Sequence, residues 1–166
     1  MDPNVELNRS LPMLERPDAP FRVGPTLKLL IVEDDPLIGP AMKAVLAKAG
    51  YTVIGPLRDA SKAMRLAERE HPDLALVDVL LAGGEDGVSL SRRLRKELGV
   101  HSLLVTGYEH HAAEVRDTAL GFLHKPFAPQ SLLDAVGVVG EMLGGLRPSF
   151  VPRELELFPS SLHLHA

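Results

Sequence analysis

Apolar and polar positions follow two alternating patterns along the central part of the chain. Short apolar runs typical of strands occupy residues 28–32, 51–54, 73–78, 101–105 and 121–124. A segment with helical periodicity follows each run, and these segments end near residues 49, 70, 98, 118 and 143. Five consecutive strand–helix units are typical of right-handed crossovers, and they predict a parallel sheet.

The alternation therefore predicts the fold class α/β, with a five-stranded parallel sheet. Five such units suit a doubly wound (βα)5 arrangement of the flavodoxin-like type, with strand order 2-1-3-4-5. Local signals mark the helix ends: Asp35-Pro36 begins the first helix, Asp59 or Ser61 caps the second, and Gly99 ends the third. The predicted central domain spans residues 27–145.

Two extensions flank this domain. Residues 1–26 carry several prolines and scattered charges without any period, which is typical of a flexible arm. In the C-terminal extension, 146–166, residues 154–158 alternate polar and apolar side chains and predict a strand. Because a lone strand must pair with another, we interpret this extension as a candidate dimerisation arm.

Composition excludes several classes of function. The chain has 166 residues, a net charge of -4 and no cysteine. The negative charge gives no support for direct nucleic-acid binding, and the lack of cysteine excludes disulfides, thiolate metal sites and a cysteine nucleophile. No apolar segment is long enough to span a bilayer and no signal-peptide pattern is present, so we expect a cytoplasmic protein without membrane contact.

Polar side chains collect at the ends of the predicted strands. The strand 73–78 is apolar until Asp78, and Glu33 and Asp34 come directly after the first strand. Thr106 and Lys125 follow the fourth and fifth strands. In a parallel sheet these positions meet at the edge where α/β folds place their ligands.

This set of side chains suits phosphoryl chemistry. Clustered carboxylates of Glu33, Asp34 and Asp78 would repel one another, and a hard divalent cation such as Mg²⁺ removes that repulsion. Lys125 supplies a compact positive charge for a phosphoryl group, and Thr106 supplies a hydroxyl donor. Asp78 is the candidate nucleophile, because carboxylates form aspartyl phosphates.

The same motifs resemble a known family. They are Val32-Glu33-Asp34-Asp35-Pro36, the strand ending in Asp78, Gly87 nine residues later, Thr106, and Phe122-Leu123-His124-Lys125-Pro126-Phe127. In this order they resemble the receiver domain of two-component response regulators, in its single-domain, CheY-like form. The resemblance implies that Asp78 accepts a phosphoryl group from a sensor histidine kinase or a histidine phosphotransfer protein.

The resemblance also implies roles for the other residues. Thr106 and Lys125 would hold the phosphoryl group on Asp78. Mg²⁺ would be bound by Asp34, Asp78 and the backbone carbonyl of Leu80, while Glu33 would act through a water molecule. Phe122 stands at the position of the family's switch aromatic, which turns inward when Thr106 moves toward the phosphoryl group.

Other interpretations remain open or fail on particular residues. Taken alone, Asp78 could be a turn residue at a strand end, and Phe122 could be a core aromatic that never moves. Phosphatases of the haloacid dehalogenase type need a second Asp two places after the first, where this chain has Leu80. The chain has neither a phosphate-binding loop with Lys and Ser/Thr nor a dinucleotide fingerprint.

The expected function is that of a single-domain response regulator, since the residues after 145 are too few for an output domain. Such a chain is not an enzyme, apart from catalysing its own phosphorylation and dephosphorylation. Its output would be phosphorylation-dependent protein–protein contact. The alternatives are a phosphorelay carrier that passes phosphate to a histidine phosphotransfer protein, and a receiver-like adaptor that is not phosphorylated.

Two further expectations concern assembly and lifetime. Leu133, Gly137, Gly140 and Gly144 form a stripe of mostly small residues on the fifth predicted helix. We expect a homodimer through the face between the fourth and fifth predicted helices, with one or both extensions reaching across. By resemblance, Leu80 and Tyr108 flank the path of an attacking water, so we expect a long-lived phosphoryl group.

Overall fold

The computed structural model describes residues 26–107 and 115–158. Within these residues the strands are β1 Lys28–Val32, β2 Thr52–Leu57, β3 Leu74–Asp78, β4 His101–Thr106, β5 Gly121–His124 and β6 Leu155–Leu157. The helices are α1 Ile38–Lys48, α2 Ala60–Glu70, α3 Gly87–Leu98 and α4 Pro129–Leu143. No helix in the described ranges is long and apolar enough to cross a membrane.

A single sheet organises the fold, with strand order β2-β1-β3-β4-β5-β6. β1 to β5 are parallel, and β6 runs antiparallel to β5. The predicted α/β fold and the order 2-1-3-4-5 are therefore confirmed, with a sixth strand added at the β5 edge. All residues of β3 are buried, as expected for the middle strand of a parallel sheet covered on both faces.

Alternate side chains of the strands point into two hydrophobic clusters. On one face, Leu29 and Ile31 of β1 pack with residues of α1 and α4. On the other face, Leu30 and Val32 pack with residues of α2 and α3. This division follows from the two-residue period of a strand, and it explains why the apolar runs in the sequence are nearly continuous.

Asp residues position the starts of three helices. The side chains of Asp59 and Asp86 accept the backbone N–H groups of Lys62 and Ser89, each at 2.8 Å, and so cap α2 and α3. The first helix begins at Ile38, two residues later than predicted. Asp35 explains the later start, because its carboxylate accepts the backbone N–H groups of Leu37 and Ile38 and so forms a turn before the helix.

The second strand is longer than the sequence indicates. The predicted strand ended before Gly55-Pro56, whereas β2 continues through this pair to Leu57. β2 is an edge strand, where a proline costs no ladder hydrogen bond. A register shift between Leu30 and Val32 of β1 accommodates the extension, and Glu33 N–H donates to the Leu57 carbonyl at 2.9 Å.

Several predictions fall on segments that the structure does not describe. The N-terminal extension lies almost wholly outside the described residues, as does Tyr108. Most of the predicted helix 109–118 also lies outside them. Its described part is a turn, in which the backbone N–H and the hydroxyl of Thr118 both donate to the Val115 carbonyl.

The predicted strand in the C-terminal extension exists as β6, but it pairs with the chain's own β5. Gly121 is opposite Leu157 and Leu123 is opposite Leu155. The strand is thus paired within its own chain, and pairing across a dimer stays a prediction. Gly140 is also closely packed within the chain, since an added Cβ would come 2.9 Å from the Leu27 side chain.

Candidate functional site

Three carboxylates meet at the C-terminal edge of the sheet. β1 and β3 are paired in register, with Val32 opposite Val77, so the residues that follow them are neighbours. Glu33, Asp34 and Asp78 each place a carboxylate oxygen within 4.8 Å of the others. The acidic cluster predicted from the strand ends is therefore present.

Lys125 completes this cluster from the end of β5. Its Nζ donates to Glu33 Oε2 at 2.8 Å and to Asp78 Oδ2 at 3.1 Å. Burial opposes the charged form of Lys125, but the hydrogen bonds and the attraction of both carboxylates outweigh it and raise its pKa. The ammonium group is therefore charged and held directly against the candidate nucleophile.

Glu33 is the most deeply buried member of the cluster, with 2% of its surface exposed. Burial raises its pKa, and the neighbouring Asp78 carboxylate adds to the rise. The bonds from Lys125 and from the Asp35 N–H, at 3.0 Å, only partly offset it. Three carboxylates thus lie beside one ammonium group, and a further cation would be favoured there.

The loop between β3 and α3 packs closely over the cluster. Asp78 Oδ1 accepts the N–H of Leu80 at 3.0 Å, and Asp34 Oδ2 accepts the N–H of Ala82 at 2.9 Å. Gly87 lies against the carbonyl of Asp78, with which an added Cβ would collide. This contact gives a physical reason for the glycine that the sequence places nine residues after Asp78.

Thr106 lies beside the cluster at the end of β4. It is buried, and it follows Val105, which is opposite Asp78 in the β3–β4 pair. Its carbonyl accepts the Lys125 N–H at 2.7 Å, so the backbones of these two predicted phosphoryl-binding residues are joined. All residues predicted to carry the chemistry are therefore brought together at one edge of the sheet.

Phe122 lies away from the carboxylates, in the cluster on the α2 and α3 face. It is fully buried, and its ring meets that of Phe158 edge-on, with centroids 5.0 Å apart. Leu80, by contrast, has 53% of its surface exposed beside Asp78. The side chain of Leu80 is therefore at the rim of the site, and only its backbone enters the hydrogen bonding described.

Sequence reasoning missed two residues next to the site. The guanidinium of Arg58 donates twice to the Asp34 carbonyl, at 3.1 and 2.9 Å, and fixes the loop after β1. Leu37 is 79% exposed at the start of α1. Neither has a signal in the sequence, because one acts through a backbone carbonyl and the other is notable only for its exposure.

Leu37 also borders an apolar groove of about 430 Å³ between α1 and α4. The groove reaches the acidic cluster at Lys125. Its other lining residues are mostly apolar: Ile38, Ala41, Met42, Val45, Pro126, Phe127, Pro129 and Leu132. An exposed apolar surface therefore adjoins the polar site.

Comparison with known proteins gives one consistent family. The chain is 33% identical over 107 residues to the phyllosphere-induced regulator PhyR of Methylorubrum extorquens, and the aligned region covers 63% of this chain and 40% of PhyR. It is 34% identical over 114 residues to protein PetR of Rhodobacter capsulatus, and the aligned region covers 67% of this chain and 47% of PetR. The matched region thus spans less than half the length of these two relatives.

Solved structures agree with this similarity. A CheY-like response regulator receiver domain from Methanospirillum hungatei has a TM-score of 0.65 and 28% identity, covering 72% of this chain and 97% of that one. The BeF3-activated receiver domain of RstA from Klebsiella pneumoniae has a TM-score of 0.58 and 32% identity, covering 64% and 92%. The model of the response regulator receiver domain matches residues 29–137, so the chain belongs to the response regulator receiver family.

Proposed function

We propose that this protein accepts a phosphoryl group on Asp78 in a Mg²⁺-dependent reaction, and that it signals by phosphorylation-dependent contact with other proteins. The observation that carries the proposal is Lys125, whose ammonium group is bonded at once to Asp78 and to Glu33. A buried carboxylate held against a fixed cation, beside further carboxylates, is suited to an incoming phosphoryl group.

The donor in this proposal is a phosphohistidine of a sensor histidine kinase or a histidine phosphotransfer protein. A carboxylate oxygen of Asp78 attacks phosphorus, the new P–O bond forms, and the P–N bond breaks with its electron pair remaining on the imidazole. The modified Asp78 keeps less charge on its own oxygens, so Lys125 exchanges its bond to Asp78 for one to a phosphoryl oxygen. The Thr106 hydroxyl donates to another.

The donor set fits Mg²⁺, which prefers hard oxygen ligands. Asp34, Asp78 and the Leu80 carbonyl would hold it, with Glu33 acting through a water molecule. When bound, Mg²⁺ neutralises charge that develops on the phosphoryl oxygens. The protein's own contribution is to hold its ligand residues in place. The hydrogen bonds from the Ala82 N–H to the Asp34 carboxylate and from Arg58 to the Asp34 carbonyl do this for Asp34.

The surface beside the site supports docking of a phosphodonor protein. The apolar groove between α1 and α4 opens next to Lys125, and exposed Leu37 stands at its rim. An amphipathic helix that bears the phosphohistidine would bury these groups while it presents phosphorus to Asp78. In this proposal the chain is a phosphoacceptor that catalyses only its own phosphorylation and dephosphorylation.

Labelling by a small phosphodonor with Mg²⁺ tests the proposal. The wild type should gain one acid-stable, base-labile phosphoryl group, and Asp78→Asn should gain none. Asp59→Asn is the matched control, because Asp59 lies outside the cluster and Asn also caps helices, so this variant should be labelled normally. Normal labelling of Asp78→Asn would refute the assignment of the acceptor.

A further inference from the structure

The C-terminal segment Pro152–Phe158, which contains β6, binds directly to β5, the strand that ends one residue before Lys125. In addition to the paired residues of β6, the His124 N–H donates to the Glu154 carbonyl at 2.8 Å. The Phe158 N–H donates to the Leu120 carbonyl at 2.9 Å. Backbone hydrogen bonds therefore join residues 154–158 of this segment, called the latch below, to β5 and to Leu120 just before it.

Side chains on one face of the latch reinforce this pairing. Phe158 is almost completely buried, and its ring meets the fully buried ring of Phe122 at an interplanar angle of 90°. Glu156 Oε2 lies 3.2 Å from His124 Nε2. Phe122 is thus enclosed on the sheet-edge side by Phe158, and it cannot turn outward there unless the latch moves.

A short chain of hydrogen bonds connects the latch with the acidic site. Lys125 N–H donates to the Thr106 carbonyl, and the preceding residue, His124, is opposite Thr106 in the β4–β5 pair. The same His124 donates its N–H to the latch. A shift of Thr106 or Lys125 toward a group on Asp78 therefore moves the β5 backbone that the latch holds.

The contacts of the latch are complete while Asp78 is unmodified and bonded to Lys125. A rearrangement at Lys125 that shifts the β5 backbone would therefore weaken contacts that are already made. β6 has three residues and lies at the edge of the sheet, so only a short run of backbone pairs must break for it to open.

We propose that the latch is an autoinhibitory strand, which binds β5 in the unmodified protein and is released when Asp78 is phosphorylated. Release uncovers the hydrogen-bonding edge of β5 and frees Phe122 to move. The inference rests on the proposed function, because it takes phosphorylation of Asp78 as its trigger. By reciprocity, opening of the latch must favour the phosphorylated state by the same factor by which phosphorylation favours opening.

Two variants weaken the latch from opposite sides. Phe158→Ala removes the ring that covers Phe122. Gly121→Ala leaves the latch sequence intact, but the nearest atoms to the added Cβ all belong to the backbone of Glu156 and Leu157, with which it would collide. Phe150→Ala is the matched control, because this Phe lies in the same extension and is exposed.

Hydrogen exchange, followed by mass spectrometry with and without a small phosphodonor and Mg²⁺, tests the release. Phosphorylation should accelerate exchange of the Phe158 amide on the order of tenfold, and exchange in α2 should not change. The intact mass of the same sample reports whether phosphorylation occurred. Phosphorylation with unchanged Phe158 exchange would overturn the latch alone, whereas no mass gain would overturn the proposed function and this regulation with it.

Binding of beryllofluoride, a phosphoryl mimic, tests the reciprocal effect at equilibrium. Phe158→Ala and Gly121→Ala should both bind it roughly tenfold more tightly than the wild type, and Phe150→Ala should bind it as the wild type does. Equal or weaker binding by a latch variant that keeps the wild-type circular dichroism would overturn the proposal. The two variants differ in strand and chemistry, so misfolding of one leaves the other as the test.

Discussion

Substitution of Gly87 by alanine tests how closely the loop after β3 is packed against Asp78. An added Cβ would collide with the Asp78 carbonyl oxygen, and it would lie 2.8 Å from the carbonyl carbon and 3.0 Å from the Val79 Cα. All of these are backbone atoms, so no side chain can rotate away. The start of α3 must move instead, and with it Asp86, whose carboxylate caps the helix.

The expected change in stability is the sum of two costs and one gain. Overpacking that forces a backbone shift costs roughly 1–3 kcal/mol, and loss of the cap would add about 1 kcal/mol. Replacing a helical glycine by alanine gains up to about 1 kcal/mol, but less at the first residue of a helix. We therefore expect Gly87→Ala to lower the free energy of unfolding by about 1–3 kcal/mol.

Thermal unfolding followed by circular dichroism measures this change, at about 2–4 °C of Tm per kcal/mol for a chain of this size. Gly137→Ala is the control, because its added Cβ has no atom within 4 Å and the residue lies inside α4. It should raise Tm by about 2–4 °C, since only the helix propensity changes. A Gly87→Ala protein that is as stable as Gly137→Ala would refute the reasoning.

Two other predictions concern lifetime and assembly. Leu80→Asn should shorten the lifetime of the phosphoryl group on the order of tenfold, or about 1.4 kcal/mol, because an amide would orient water where an apolar side chain now stands at the rim of the site. Leu146→Asn, at a leucine of similar exposure outside the site, is the control, and equal rates of loss in the two variants would contradict the idea. The predicted homodimer should appear in sedimentation of the phosphorylated protein at roughly tens of micromolar, a range in which weak associations are measurable, and a monomer there would count against it.

The fold and the acidic site could be predicted from the sequence because both depend on the ends of buried strands. The apolar runs give the strands, and a parallel sheet brings their C-terminal ends to one edge. Asp78 and Lys125 are 47 residues apart in the chain, yet Asp78 Oδ2 and Lys125 Nζ are 3.1 Å apart. Strand order and strand ends together suffice to predict such a contact.

The parts that could not be predicted depend on pairing choices. Alternation of residues 154–158 indicates a strand and the face that each side chain takes, but it contains no information on which edge the strand joins. The edge is set by Gly121, whose missing side chain makes room for the β6 backbone. In the sequence this glycine has no feature that separates it from a turn residue.

Arg58 illustrates a second limit. Its two hydrogen bonds to the Asp34 carbonyl need only a guanidinium group between β2 and α2 and a backbone carbonyl within its reach. Any arginine in the loop after β2 would give the same sequence pattern, whether or not it reached the site. Side chains that position a site through the backbone are therefore found by geometry and not by motif.

β6, which is added to the predicted five-stranded sheet, lies beside the residues expected to move. β5 ends one residue before Lys125, on one side of the acidic site, and pairs with β6 along its other edge. A receiver domain that used this edge for a partner would need it uncovered, and here the chain's own strand covers it. The four residues of β5 thus connect the phosphoryl site with the covered edge. Because β5 pairs with β4 on one side and with β6 on the other, a shift of the backbone at Lys125 acts on both pairings.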